Sequence, residues 1–286
     1  MWGYGQCLDN INGIVNELNS LFSMLIELMT NDSLFTSATT AVPDLVSMIK
    51  GTSLTLCVMF FLIDFFTKTL HLQWITWENV MMLAIKLVVA KVCVDNSEFF
   101  TNMIYSGFNS FVDAIAGTIT QYRFIDGDDM TKAQYFVSTS QASQIVNNTD
   151  AGFLNFQPLI LNMQISIQGL IMKIVMIIAN VIVIARLFEL TVYTMIAPVP
   201  LSTFACESLS DVGKGFLKSY AAVTLQSIVL AIMFIAYTAV NNALIDGRIG
   251  SYNLALDGIF GLITTLTLGI GVMSSGSWAK KICGAM

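Results

Sequence analysis

The stretch GLIMKIVMIIANVIVIARLFELTVYTMIAPVP, residues Gly169–Pro200, decides the fold. From Gly169 to Ala185 it holds a single charge, Lys173, among Leu, Ile, Val, Met and Ala. A helix that crosses a bilayer needs about 20 largely apolar residues, so this run is the heart of a membrane helix. Arg186 and Glu189 follow, three residues apart and on one helix face, where they can pair. Pro198 and Pro200 each lack an N–H and restrict the residue before them, which predicts the helix end. The run before Arg186 is long enough to reach the edge of the hydrocarbon. The helix is therefore expected to leave the membrane near Arg186, with Leu187–Ile196 at the interface. The two prolines would then turn the chain into a basic inner loop that carries Lys214 and Lys218.

The rest of the chain has the same character. Of its 286 residues, 55% are hydrophobic and only 11% charged, and its mean hydropathy is +0.72. Soluble domains carry roughly 25% charged residues. The expected fold class is an all-α integral membrane protein, with about five transmembrane helices plus N-terminal and central amphipathic helices. A net charge of −6 gives no basic footprint for nucleic acid. The five cysteines form no CxxC and no cluster with the single histidine, His71, so no metal is expected. No basic segment precedes the first apolar run, and that run is expected to act as its own insertion signal.

Five regions follow along the chain. Residues 1–46 hold a helix in which Ile11, Val15, Leu18, Phe22, Leu25 and Met29 form a seam of period 3.5. The seam packs either on its own protein or on a neighbouring subunit. Residues 47–94 carry the first two spans, Thr52–Phe66 at the core of one and Glu78–Val94 as the other, with Trp74 and Trp77 between them as an interfacial belt. The second contains Lys86 and Lys91, each costly at mid-membrane. Residues 95–157 read as an extracytoplasmic amphipathic helix, with Phe99, Met103, Phe108 and Phe111 at helical spacing, and then a polar loop. Asp126, Asp128 and Asp129 lack the closing Glu of a calcium loop. Residues 158–219 hold the long third helix and its cytoplasmic loop, and residues 220–286 hold spans four and five and a short cytoplasmic tail. In the fifth span Gly261, Thr265 and Gly269 recur every four residues, as do Gly271 and Ser275, a spacing that lets helices approach closely in lipid. Alternating five spans gathers Lys68, Arg186, Lys214, Lys218, Lys280 and Lys281 on one side, against Lys50, Arg123, Lys132 and Arg248 on the other. The positive-inside rule then puts the N-terminus outside and the C-terminus in the cytoplasm.

Polar groups inside the spans are the candidate functional residues. Asn162, Ser166, Lys173 and Asn180 fall on one stripe of the third helix, at steps of four, seven and seven. The stripe is either a helix–helix seam or the lining of a hydrated conduit. Asp64 and Lys86 lie at similar depth on the first two spans and are expected to neutralise each other. No nucleophile elbow, zinc-protease, phosphate-loop or dinucleotide motif is present, so no enzyme activity, catalytic residue or cofactor is expected.

The segments Arg186-Leu-Phe-Glu189 and Ala197-Pro-Val-Pro200, with the basic entry to the next span, resemble the TrbL-type family over roughly residues 45–275. These are polytopic inner-membrane components of conjugative type IV secretion systems, and the variant of Gram-positive conjugative elements is the most similar. The resemblance implies a channel or scaffold subunit in a bacterial cell membrane that assists transfer of single-stranded DNA with its attached protein. It implies self-association and work beside separate ATPases and a coupling protein, in contact with membrane lipid. The N-terminal seam and the small-residue face of span five are expected to serve that self-association. Two other readings stand beside it: a solute or ion transporter acting alone, and a structural membrane anchor without a conduit.

Overall fold

The computed structural model describes residues 3–70, 77–119, 123–148, 156–246 and 254–285. His71, Trp74 and Arg248 lie outside the described residues. The described residues build helices and short connections, with no strand. In chain order the helices are α1 (Tyr4–Thr30), α2 (Asp32–Thr40), α3 (Pro43–Leu70), α4 (Trp77–Asp95), α5 (Ser97–Ile119), α6 (Asp129–Phe136), α7 (Thr139–Val146), α8 (Gln157–Ile196), α9 (Pro198–Ser202), α10 (Ser210–Asp246) and α11 (Leu254–Cys283). Among the described residues, four segments are long and apolar enough to cross a membrane: Pro43–Thr69, Gln157–Ala205, Glu207–Asn241 and Gly261–Cys283. The protein is an all-α, multi-pass membrane protein.

The expected second span, α4, is not among those four. Glu78, Lys86, Lys91 and Asp95 all fall within its 19 residues, more charges than the apolar stretch of any of those four carries. The third helix also differs from its expected course. α8 runs unbroken through Arg186 to Ile196; with a 1.5 Å rise per residue it is about 60 Å long, twice the hydrocarbon thickness. It stops at Ile196, two residues before Pro198, whose missing N–H could not continue it, and Pro198 then starts α9 at the first helical position. Lys214 and Lys218 are not in a loop. They lie in the first turns of α10, which begins at Ser210, ten residues before the expected start of the span.

The described chain forms two compact units that are interleaved along the sequence: residues 1–30, 112–184 and 227–275 in one, and 31–111, 185–226 and 276–286 in the other.

In the first unit, every residue of the α1 seam is buried, with Ile11 and Leu18 fully so. The seam packs on its own chain. Gly169 of α8 permits the approach, because a Cβ there would stand 2.7 Å from Ile14 Cδ1. The small residues of α11 act in the same way. A Cβ on Gly261 would meet Gln168 at 2.6 Å, and one on Gly271 would meet Met233 Sδ at 2.6 Å. Both surfaces expected to join neighbouring copies are therefore buried inside the chain. The polar segment after α5 is also packed in. Asp128 Oδ1 caps α6 by accepting from Thr131 N at 2.9 Å, and Ser138 N donates to Gln141 Oε1 ahead of α7. Phe124, Ile125, Phe136 and Ile145 are buried, and Phe124 meets Phe22, Phe234 and Tyr237 in an aromatic cluster.

Among the described residues, the second unit has three apolar centres. One joins Phe35, Tyr105, Leu190, Tyr220 and Val223. Another joins Cys57, Ala90 and Ala205. A third joins Val94, Ala197 and Leu201. On α5 the large apolar side chains point outward, with Phe99, Met103 and Phe111 exposed while Thr101, Tyr105 and Asn109 are buried. That arrangement suits a lipid solvent, in which polar groups face the protein interior.

Candidate functional site

Arg186, Glu189, Pro198 and Pro200 lie in the second unit. Arg186 is buried to 3% exposure. Its Nε donates to the Val223 carbonyl at 3.0 Å, while Nη1 has no hydrogen-bond partner among the described residues. Tyr105 and Tyr220 are its electrostatic neighbours. Tyr220 and Thr194 share a hydrogen bond of 3.1 Å. Tyr105 donates to Asp32, whose Oδ1 also accepts from Asn109 Nδ2 at 2.6 Å. Tyr105 also stacks on Phe35, with centroids 4.1 Å apart. Burial, and then the Asp32 carboxylate, push the Tyr105 hydroxyl well above its ordinary pKa. Two phenols thus flank the buried guanidinium, and one of them, Tyr105, is bonded to the exposed Asp32 carboxylate.

The expected Arg186–Glu189 ion pair is not formed. Arg186 turns inward to the α10 backbone, and the half-buried Glu189 accepts from Tyr193 one turn farther on. Helical spacing made the pair possible, but the carbonyl of Val223, remote in sequence, captures the guanidinium. Pro198 and Pro200 lie in a tight corner beyond the end of α8. Thr203 Oγ1 donates to the Pro200 carbonyl at 2.7 Å and accepts from Gly213 N at 3.1 Å. A Cβ on Gly213 would stand 2.9 Å from Phe204 Cζ and 3.0 Å from the Pro200 carbonyl. Gly213 is therefore a close-approach position. Of the basic residues after it, Lys214 pairs with Asp211 at 3.1 Å, and Lys218 is exposed.

Asp64 and Lys86 do not pair directly. Asp64, 5% exposed, binds Lys68 at 3.0 Å, and Lys68 and Lys86 share Glu207 at 2.7 and 2.8 Å. Four charges in series thus tie α3 and α4 to the turn between α9 and α10. Glu207 was the missing member. Its only signal in the sequence is an acid next to Cys206 in a connection otherwise rich in Ser and Thr.

The α8 stripe belongs to the first unit, where it lies against α1. Asn10 Nδ2 donates to Asn162 Oδ1 at 2.7 Å and to Ser166 Oγ at 2.9 Å. Lys173 pairs with Glu17, and Asn180 Nδ2 donates to the Leu21 carbonyl at 3.3 Å. All four stripe residues are engaged by one neighbouring helix.

No family model, curated protein or solved structure matches this chain.

Proposed function

We propose that the chain is a membrane-embedded scaffold or channel subunit of a conjugative type IV secretion system, similar to the TrbL type. In this reading it assists transfer of single-stranded DNA with its attached protein across a bacterial cell membrane. The observation that carries the reading is the buried Arg186 and the helix break at Pro198, two features of the segments on which the resemblance rests, within one unit of a multi-pass helical protein.

The subunit works beside separate ATPases and a coupling protein and meets other copies of itself. Those copies join through surfaces other than the α1 seam and the small face of α11, which are buried within the chain. With the α8 stripe engaged by α1, no observation favours a transporter acting alone.

A mating assay tests the proposal. Deleting the gene is expected to abolish DNA transfer, and Arg186→Glu is expected to abolish it while leaving the protein in the membrane fraction. The Arg186→Glu, Glu189→Arg double variant is expected not to restore transfer, because the two side chains do not pair. Undiminished transfer after gene deletion sinks the reading.

A further inference from the structure

The second unit holds a cavity of about 470 Å³ walled by α2, the first turns of α3, α5 and the end of α8. Thr36, Thr40, Ser47, Asn102 and Ser106 of its wall are exposed, so it opens to the surroundings.

The hydroxyls of the wall share one property. Thr36, Thr39, Thr40, Ser47 and Ser106 each donate their proton to a backbone carbonyl of their own helix. A hydroxyl committed in this way retains lone pairs and acts only as an acceptor. Asp32 and Glu98 add two carboxylates to the same wall, and Lys50 is its cation. Lys50 Nζ and Glu98 are 2.7 Å apart, with side chains 28% and 51% exposed. A pair so open to its surroundings contributes little to stability and is easily exchanged. The site is thus rich in acceptors, has one excess negative charge, and holds one cation ready to change partner. Its chemical complement is a cation with several N–H donors, joined to an anion that can take Lys50.

The cavity also lies at the end of an apolar surface. Lys50 immediately precedes the apolar run Thr52–Phe66 of α3. Leu45 and Met48 are exposed before it, Val58 and Leu62 are exposed within that run, and Phe99 and Met103 are exposed on α5. A headgroup in the cavity would place its acyl chains against these side chains.

We infer that this cavity binds the headgroup of an aminophospholipid, with its ammonium on Glu98, Asp32 and the α2 hydroxyls and its phosphate on Lys50. Binding exchanges one internal ion pair for two pairs to the ligand and leaves the charge count unchanged. A trimethylammonium headgroup has no N–H to donate. An anionic glycerol headgroup brings no cation to the carboxylates.

Native mass spectrometry of the full chain in detergent tests this with phosphatidylethanolamine, phosphatidylcholine and phosphatidylglycerol of identical acyl chains. Phosphatidylethanolamine is expected to bind roughly tenfold more tightly than the other two, the scale of one charge-assisted hydrogen bond. Glu98→Gln combined with Thr40→Val is expected to erase that preference while leaving the thermal midpoint in detergent unchanged. Equal occupancy by phosphatidylethanolamine and phosphatidylcholine in the native chain overturns the proposal, and that comparison needs no variant. Soluble phosphoethanolamine that binds as tightly as the lipid would overturn the assignment to a membrane lipid.

Discussion

Arg186 shows how one side chain can be committed without a carboxylate beside it. Its Nε bond to the Val223 carbonyl depends on a planar guanidinium at fixed depth. A lysine at that site is a compact point charge on a flexible stem. Arg186→Lys is therefore expected to lower stability by about 1–3 kcal/mol, measured by thermal unfolding in detergent. Gly169 makes the opposite demand, for absence of bulk. Gly169→Leu pushes side-chain atoms into Ile14 and is expected to cost about 1–3 kcal/mol through overpacking. Asp128 sets a pH dependence. The Thr131 backbone N–H, and then its hydroxyl, hold the carboxyl below the ordinary Asp value. A depressed folded pKa gives stability that is present above the unfolded value and is lost as pH falls through the folded one. Protection of the first-turn amides of α6, relative to their intrinsic exchange rate, is therefore expected to fall as pH drops below about 4, and to lose that dependence in Asp128→Asn.

At the scale of the element, the physical content of a segment determined how much of it could be read. α8 was legible because its apolar run is long and almost uncharged. Its passage through Arg186 was not legible, since the partner that makes a buried cation acceptable is 37 residues away on another helix. The α1 seam was visible as a period, yet a period does not say whether a helix packs on its own chain or on another. α6 and α7 were hidden in a polar stretch, although Asp128 and Ser138 mark their starts and Tyr135-Phe136-Val137 supplies apolar side chains to bury. α4 remains the element on which topology turns. Five crossings place the N-terminus and Asp128 on the same side of the membrane, whereas four place them on opposite sides. Its side chains Val80, Met81, Met82, Ile85, Val88, Val89 and Val92 are exposed, and its inward cation Lys86 is paired with Glu207. Both features favour a fifth crossing. Reporters fused at Asp9 and inserted at Asp128 are expected to report the same side, and opposite sides would remove α4 from the membrane.

At the scale of the whole molecule, stability depends on segments that are far apart in the chain. α1 covers the polar stripe of α8, so its removal leaves Asn162, Lys173 and Asn180 without their partners in an apolar setting. Deleting residues 1–30 is expected to give a chain that inserts but is rapidly degraded, measurable by pulse-chase. The same interleaving has a consequence in time. About 130 residues separate the end of α1 from the start of α8. At about 5–20 residues per second, a ribosome needs roughly 6–25 s to make them. For most of that interval, until Phe124, α6 and α7 are made, the nascent α1 presents Ile11, Leu18, Phe22 and Leu25 with no native surface to receive them. The chain's birth therefore contains a waiting period, during which the insertion machinery or a chaperone must shelter its first helix.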